Sequence, residues 1–243
     1  MNLNQVLQQV TAETQNALGE NLVSLVLYGS RAREDATAKS DVNLLIVLRD
    51  ASVSQLEPLL KLVPGWIKQG VTAPVILEQE DLTRSLDTFA LEFLEMAAAR
   101  KVLAGVDPFA DFTPDWQAVR WDLEEEAREK TVALQRRWLA SGGKAKYLRA
   151  IIAETVPGFL PLLRGTLHLQ QRSMNPIPTP KLFDGSLEWP GFNPQIWRKL
   201  WETAKGMQSP SSTDVTQLMK DYLAQTQALV RHIDRLLSSE GTK

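Results

Sequence analysis

The residues able to do chemistry concentrate in one short stretch of the 243-residue chain. It runs Leu27-Tyr28-Gly29-Ser30-Arg31-Ala32-Arg33 and then Ser40-Asp41-Val42-Asn43. Gly29 lets a ligand come close to the backbone, because no Cβ stands in the way. Ser30 brings a hydroxyl to a point where a helix can begin, and the N–H groups at such a start attract phosphate oxygens. Arg31 and Arg33 either steer a triphosphate or dress a solvated helix. Asp41 and Asn43 are two apart on a predicted strand, so both side chains point to one face. Side-by-side oxygen ligands of this kind suit a hard cation such as Mg²⁺. The stretch therefore reads as a phosphate held by a turn with a cation held beside it.

Two predicted strands carry these groups. Residues 22–28 and 42–48 are short apolar runs rich in branched side chains, the pattern of buried strands. An amphipathic helix over 3–18 precedes them, with Gly19 as its stop. Residues 52–69 have helical spacing disturbed by Pro58 and Pro64. Residues 71–77 predict a third strand, which Pro74 assigns to a sheet edge or end. A short helix follows over 79–86. Residues 89–104 fit either a helix or two short strands. From Asp115 the character changes. Apolar stripes at helical spacing run from Trp116 to Trp138, from Tyr147 to Leu167 (kinked at Pro157 and Pro161) and from Val215 to Leu236. A shorter helix is expected over 195–206. Four helices with one apolar face each make a bundle the simplest arrangement. The expected division is 1–112 and 113–243.

Composition narrows the possible functions. The chain is 44% hydrophobic and 23% charged, ordinary for a globular protein. With no cysteine, disulfides, thiolate metal sites and thiol catalysis are excluded. With two histidines, His168 and His232, a His-based metal site or triad is not expected. His168 reads as a bundle residue and His232 as exposed. No apolar run is long enough to span a membrane, and MNLNQVLQQV lacks the basic and apolar regions of a signal peptide. A soluble cytoplasmic protein is expected. Residues 1–112 carry 9 basic against 15 acidic side chains, and 113–243 carry 18 against 14. Neither half has the basic clustering that nucleic-acid binding requires.

The strand, Gly-Ser turn and SDVNLLIV strand together resemble the nucleotidyltransferase superfamily. This is the polymerase-β-like fold of antibiotic nucleotidyltransferases and minimal nucleotidyltransferase domains. Its signature is an apolar strand, Gly-Ser, about ten residues, then Asp-x-Asp or Asp-x-Glu on the next strand. Residues 22–48 carry the likeness, and a fold-level match extends to about residue 104. The resemblance implies an α/β (α+β) nucleotidyltransferase-like domain followed by an all-α helical-bundle domain. It also implies a reaction. An acceptor hydroxyl attacks the α-phosphorus of a nucleoside triphosphate such as ATP, and pyrophosphate leaves. Two Mg²⁺ ions held by three carboxylates clamp the attacking and leaving oxygens. Gly29 and Ser30 match the phosphate-binding pair, and Asp41 matches the first metal carboxylate.

The departures fall on the cation side. Asn43 occupies the second carboxylate position with an uncharged amide. The third acid belongs on the next strand, where alignment puts Val75 or Ile76. Glu78 is the nearest substitute, with Glu92 and Glu95 further off and read as surface charges. Glu34 stands where the family often has glycine. Six of the seven tryptophans fall between Trp116 and Trp201 and are read as core.

Three functional classes follow. The first is a nucleotide- or partner-binding protein with a degraded metal site and little transfer. The second is an active Mg²⁺-dependent enzyme using Asp41, Asn43 and Glu78 on an unknown hydroxyl acceptor; the net positive helical half disfavours a cationic aminoglycoside. The third is an interaction module whose bundle docks a protein partner.

Overall fold

The computed structural model describes residues 2–33, 35–37, 40–84 and 88–238. It divides into two compact units, one of residues 1–115 with 174–178 and the other of 116–173 with 179–243.

The first unit opens with α1 (Leu3–Leu18), capped by Asn2 in a reciprocal capping box with Gln5. Strand β1 (Leu22–Tyr28), helix α2 (Ser30–Arg33) and strand β2 (Asn43–Leu48) follow. The stretch after β2 breaks into α3 (Val53–Leu56), a 3-10 turn at Glu57–Lys61 and α4 (Val63–Ile67). Pro58 and Pro64 each sit at the start of a new segment, where a missing N–H costs nothing. Strand β3 (Val75–Glu78), α5 (Asp81–Arg84), α6 (Ala90–Ala98) and β4 (Arg100–Gly105) complete the unit. The ambiguous stretch 89–104 is thus helix and then strand.

The sheet order is β3-β2-β1-β4. β1 runs antiparallel to β2 and β4, and β3 runs parallel to β2 at the edge. Side chains alternate between two cores. Leu25, Leu27, Leu44, Ile46 and Leu48 pack with Val6, Val10 and Trp66. Val26, Leu45 and Val47 pack with Phe93, Met96 and Phe109 on the other face. Two apolar faces explain why β2 reads as an unbroken apolar run. Gly105, at φ +78°, lies so close to the Val23 carbonyl that a Cβ there would require the backbone to move.

The second unit holds α7 (Trp116–Ala140), α8 (Ala145–Gln171), α9 (Pro194–Ala204) and α10 (Ser212–Ser238). Helix α8 runs through both Pro157 and Pro161. Phe159, Trp197 and Tyr222 meet in its core with ring centroids 5.5–6.1 Å apart. Tyr222 donates to Thr155 Oγ1 at 3.2 Å, and burial pushes its phenol up. His168 is buried, with Nδ1 2.6 Å from the Ser173 carbonyl. His232, expected to be exposed, is half-buried and stacked on Trp189 at 4.7 Å. Trp121 is 55% exposed, against the expectation of a core residue. Among the described residues, no helix is long and apolar enough to cross a membrane.

Candidate functional site

The sheet brings the Gly-Ser turn and the Asp-x-Asn segment together. In the β1–β2 register Tyr28 lies opposite Asn43, so the turn leaving β1 stands beside the start of β2. Gly29 has φ +77°, a region open to glycine and costly for other residues. A Cβ on Gly29 would stand 3.1 Å from Asn43 Nδ2. The turn is tied down by its backbone. Gly29 N donates to Ala99 O at 3.1 Å, and Gly29 O accepts from Ala32 N and Arg33 N at 3.0 Å each. Ser30 is half-exposed at the head of α2.

The two arginines of the motif are used internally. Arg31 Nε and Nη2 donate to the Ser40 carbonyl at 3.2 and 2.7 Å. Arg33 lies 3.5 Å from both Asp35 and Glu95, and its side chain is 7% exposed. Glu95 is therefore no surface charge: its side chain is 14% exposed and faces a guanidinium. Glu92 is exposed on the same helix. Its field, added to burial, pushes the Tyr28 phenol up to about 12. Burial is the larger cause. Glu34 lies outside the described residues.

On the cation side, Asp41 is exposed between two pinned neighbours. Ser40 is held by Arg31, and Val42 N donates to Gly70 O at 3.0 Å. Asn43 is half-buried, and its Oδ1 accepts from Thr72 Oγ1 at 3.2 Å. Thr72 Oγ1 also lies 3.3 Å from the Val42 carbonyl. Thr72 was not among the residues that sequence reasoning singled out. A threonine inside the predicted edge strand 71–77 carries no signal of its own.

The structure does not bring Glu78 to this site. The parallel register sets Glu78 opposite Leu48, at the far end of β2 from Asn43. Five residues of strand separate those ends, about 16 Å. Glu78 Oε1 instead accepts from Ala51 N at 2.9 Å, closing the turn after β2. Val75 and Ile76 pair with Leu45 and Ile46 and pack into the cores. β3 thus offers no acid beside Asp41. Among the described residues, no three acidic or histidine side chains come together as a metal-binding group. Asp41 and the Asn43 amide are the oxygen donors at the start of β2. One carboxylate with waters and phosphate oxygens suits a single Mg²⁺, whereas a pair of ions needs more negative charge.

No protein-family model matches the chain. Over 86 residues it is 29% identical to a protein of Methanocaldococcus jannaschii named for a conjectured protein adenylyltransferase activity. That match covers 33% of this chain and 58% of the other protein. Among solved structures, the chain is similar to a spectinomycin adenyltransferase from Enterococcus faecialis, crystallised with ATP and spectinomycin. The TM-score is 0.58 at 14% identity, over 93% of this chain and 99% of that one.

Proposed function

We propose that this chain, which has the nucleotidyltransferase fold with a helical domain, binds a nucleoside triphosphate (ATP by preference) and transfers nucleotide weakly or not at all. The carrying observation is the contrast inside the site. The Gly29-Ser30 turn is kept and firmly tied, while Asn43 stands in the second carboxylate position with its oxygen engaged by Thr72. With Val75 and Ile76 in the β3 positions, Asp41 is left as the carboxylate on β2's approach. In this reading the backbone N–H groups of Ser30 and Arg31 and the Ser30 hydroxyl meet phosphate oxygens, and Asp41 with the Asn43 amide holds at most one Mg²⁺. That ion would neutralise phosphate charge. Nothing in the donor set supplies the second ion that would activate an acceptor hydroxyl. Arg31 and Arg33 take no part in phosphate binding, because both are spent on internal contacts.

A second reading, a working adenylyltransferase with an unidentified hydroxyl acceptor, is favoured by the names of the two similar proteins. Two measurements separate the readings. Calorimetry is expected to give a weak ATP affinity in EDTA that Mg²⁺ improves only modestly, by less than about tenfold. Pyrophosphate release across small-molecule and protein hydroxyl acceptors is expected at background. Acceptor labelling from α-labelled ATP that disappears in Asp41→Ala establishes the second reading and removes the first.

A further inference from the structure

Asp41 is exposed and makes no hydrogen bond to another described residue, yet its backbone is clamped on both sides. After Asp41, Val42 is built into the sheet: its N–H donates to Gly70 O at 3.0 Å, and its carbonyl accepts from Thr72 N at 3.0 Å. Before Asp41, the described residues 35–37 and 40 belong to no strand. Ser40 is held there by a turn to Thr37 and by the Arg31 side chain. Ser40 N donates to Thr37 O at 3.0 Å, and Ser40 Oγ accepts from Thr37 N at 2.9 Å. The remaining acceptor, the Ser40 carbonyl, takes two N–H groups from one edge of the Arg31 guanidinium, at 3.2 and 2.7 Å. That carbonyl belongs to the peptide unit leading into Asp41, so its orientation fixes where the Asp41 side chain starts.

Arg31 itself grows from the helix that begins at Ser30. The clamp therefore links the phosphate-side turn directly to the peptide bearing the carboxylate. A guanidinium does this better than an ammonium. Its two N–H groups lie in one plane at a fixed angle, whereas lysine offers a point charge on a flexible stem. We propose that Arg31 is a positioning residue for Asp41, a bracket that sets the carboxylate's distance from the Gly29-Ser30 turn, and not a contact to phosphate. The role rests on the reading above insofar as Asp41 serves nucleotide binding; the bracket itself does not.

Two readouts on the full chain test the proposal, and the first needs no ligand. Amide hydrogen exchange is followed by NMR in wild type, Arg31→Ala and Arg31→Lys, with thermal midpoints as a control for folding. A bracket predicts that the Ser40 amide exchanges about tenfold faster or more in Arg31→Ala. The β1 amides keep their wild-type rates, and Arg31→Lys falls between the two. Unchanged Ser40 exchange in a folded Arg31→Ala overturns the proposal. The second readout is ATP affinity in Mg²⁺ and in EDTA. The bracket predicts that Arg31→Ala matches wild type in EDTA and loses the Mg²⁺-dependent part of binding, as Asp41→Ala does, with the double variant no worse than either single one. An equal loss of affinity in EDTA identifies Arg31 as a phosphate contact and overturns the proposal. If wild type binds no ATP in either condition while Ser40 exchange accelerates as predicted, the nucleotide reading falls and the bracket stands.

Discussion

The two halves of the site have followed different physical rules. On the turn side every constraint persists. Gly29 keeps its left-handed φ, its N–H and carbonyl are both engaged, and Arg33 is enclosed by carboxylates. On the cation side the described residues bring one carboxylate, Asp41, and one amide, Asn43, and the geometry around them is orderly. Asn43 has found Thr72, and Val75 and Ile76 have joined the cores. Carboxylates gathered around a metal repel one another when it is absent, so their replacement by an amide or an apolar side chain relieves the fold. A glycine at φ +77° has no such substitute. On the proposed reading, a turn of this kind is expensive to alter, whereas metal-ligand positions are cheap to change.

That contrast is broken first at Arg33. Removing one member of a buried ion group takes a charged partner from the others in low dielectric, so Arg33→Ala is expected to cost about 3 kcal/mol in chemical denaturation. The exposed Arg84–Glu80 pair, 73% and 71% exposed, is the control. Arg84→Ala there should change stability by less than about 0.5 kcal/mol. Equal costs would mean that Arg33 is solvated and that the turn side has no special rigidity. Next comes Gly29→Ala, which forces a Cβ into an unfavourable φ and to 3.1 Å from the Asn43 amide. The expected loss is about 1–2 kcal/mol, accompanied by loss of ATP binding in calorimetry.

The cation side should respond weakly. Thr72→Val deletes the hydroxyl bridging Asn43 and the Val42 carbonyl, and is expected to cost about 1 kcal/mol. Asn43→Asp keeps the acceptor and should shift stability by less than about 0.5 kcal/mol. It restores one charge of the missing pair, so the Mg²⁺-dependent part of ATP affinity should rise by less than about tenfold. A gain of several hundredfold, or pyrophosphate release by that variant, would show that a single substitution separates this chain from an active metal site.

How much of this was legible in the sequence differs from group to group. β1 and β2 were readable because both are buried on two faces and are short, mostly apolar runs, with Ser24 inside one and Asn43 at the start of the other. So was the Gly29 turn, whose residue type has one conformational explanation. Residues 89–104 were not, because an alanine-rich apolar run serves a buried helix as well as a strand. α8 was read as one helical stripe across Pro157 and Pro161, and the helix does continue through both. In the site, Asp41 and Asn43 were singled out by their spacing after the Gly-Ser turn and by the family resemblance. The register of a parallel edge strand is invisible in sequence, and for that reason Glu78 looked near Asp41 when it lies beside Leu48. The burial of Arg33 and Glu95 and the Thr72 bridge depend on contacts 62 and 29 residues apart, which no local pattern encodes.

The smallest effect offers a direct measure of charge on the cation side. Tyr28 lies opposite Asn43, and its phenol is pushed from an ordinary value of 10 to about 12 by burial first and by Glu92 second. The folded state thus prefers the neutral phenol. Its contribution to stability is complete below pH 10 and is lost as pH rises through about 12, the unfolded chain giving up its proton first. The difference in tyrosinate absorbance between wild type and Tyr28→Phe isolates this group from Tyr147 and Tyr222. In Glu92→Gln the titration should move down but stay above 10, because burial remains. A cation seated beside Asp41 and Asn43 should lower it further, since it favours the phenolate, whereas a triphosphate arriving without its metal should raise it. If Mg²⁺ with ATP raises the Tyr28 pKa in the wild type and lowers it in Asn43→Asp, the nucleotide reaches this site without its cation until the missing carboxylate is restored.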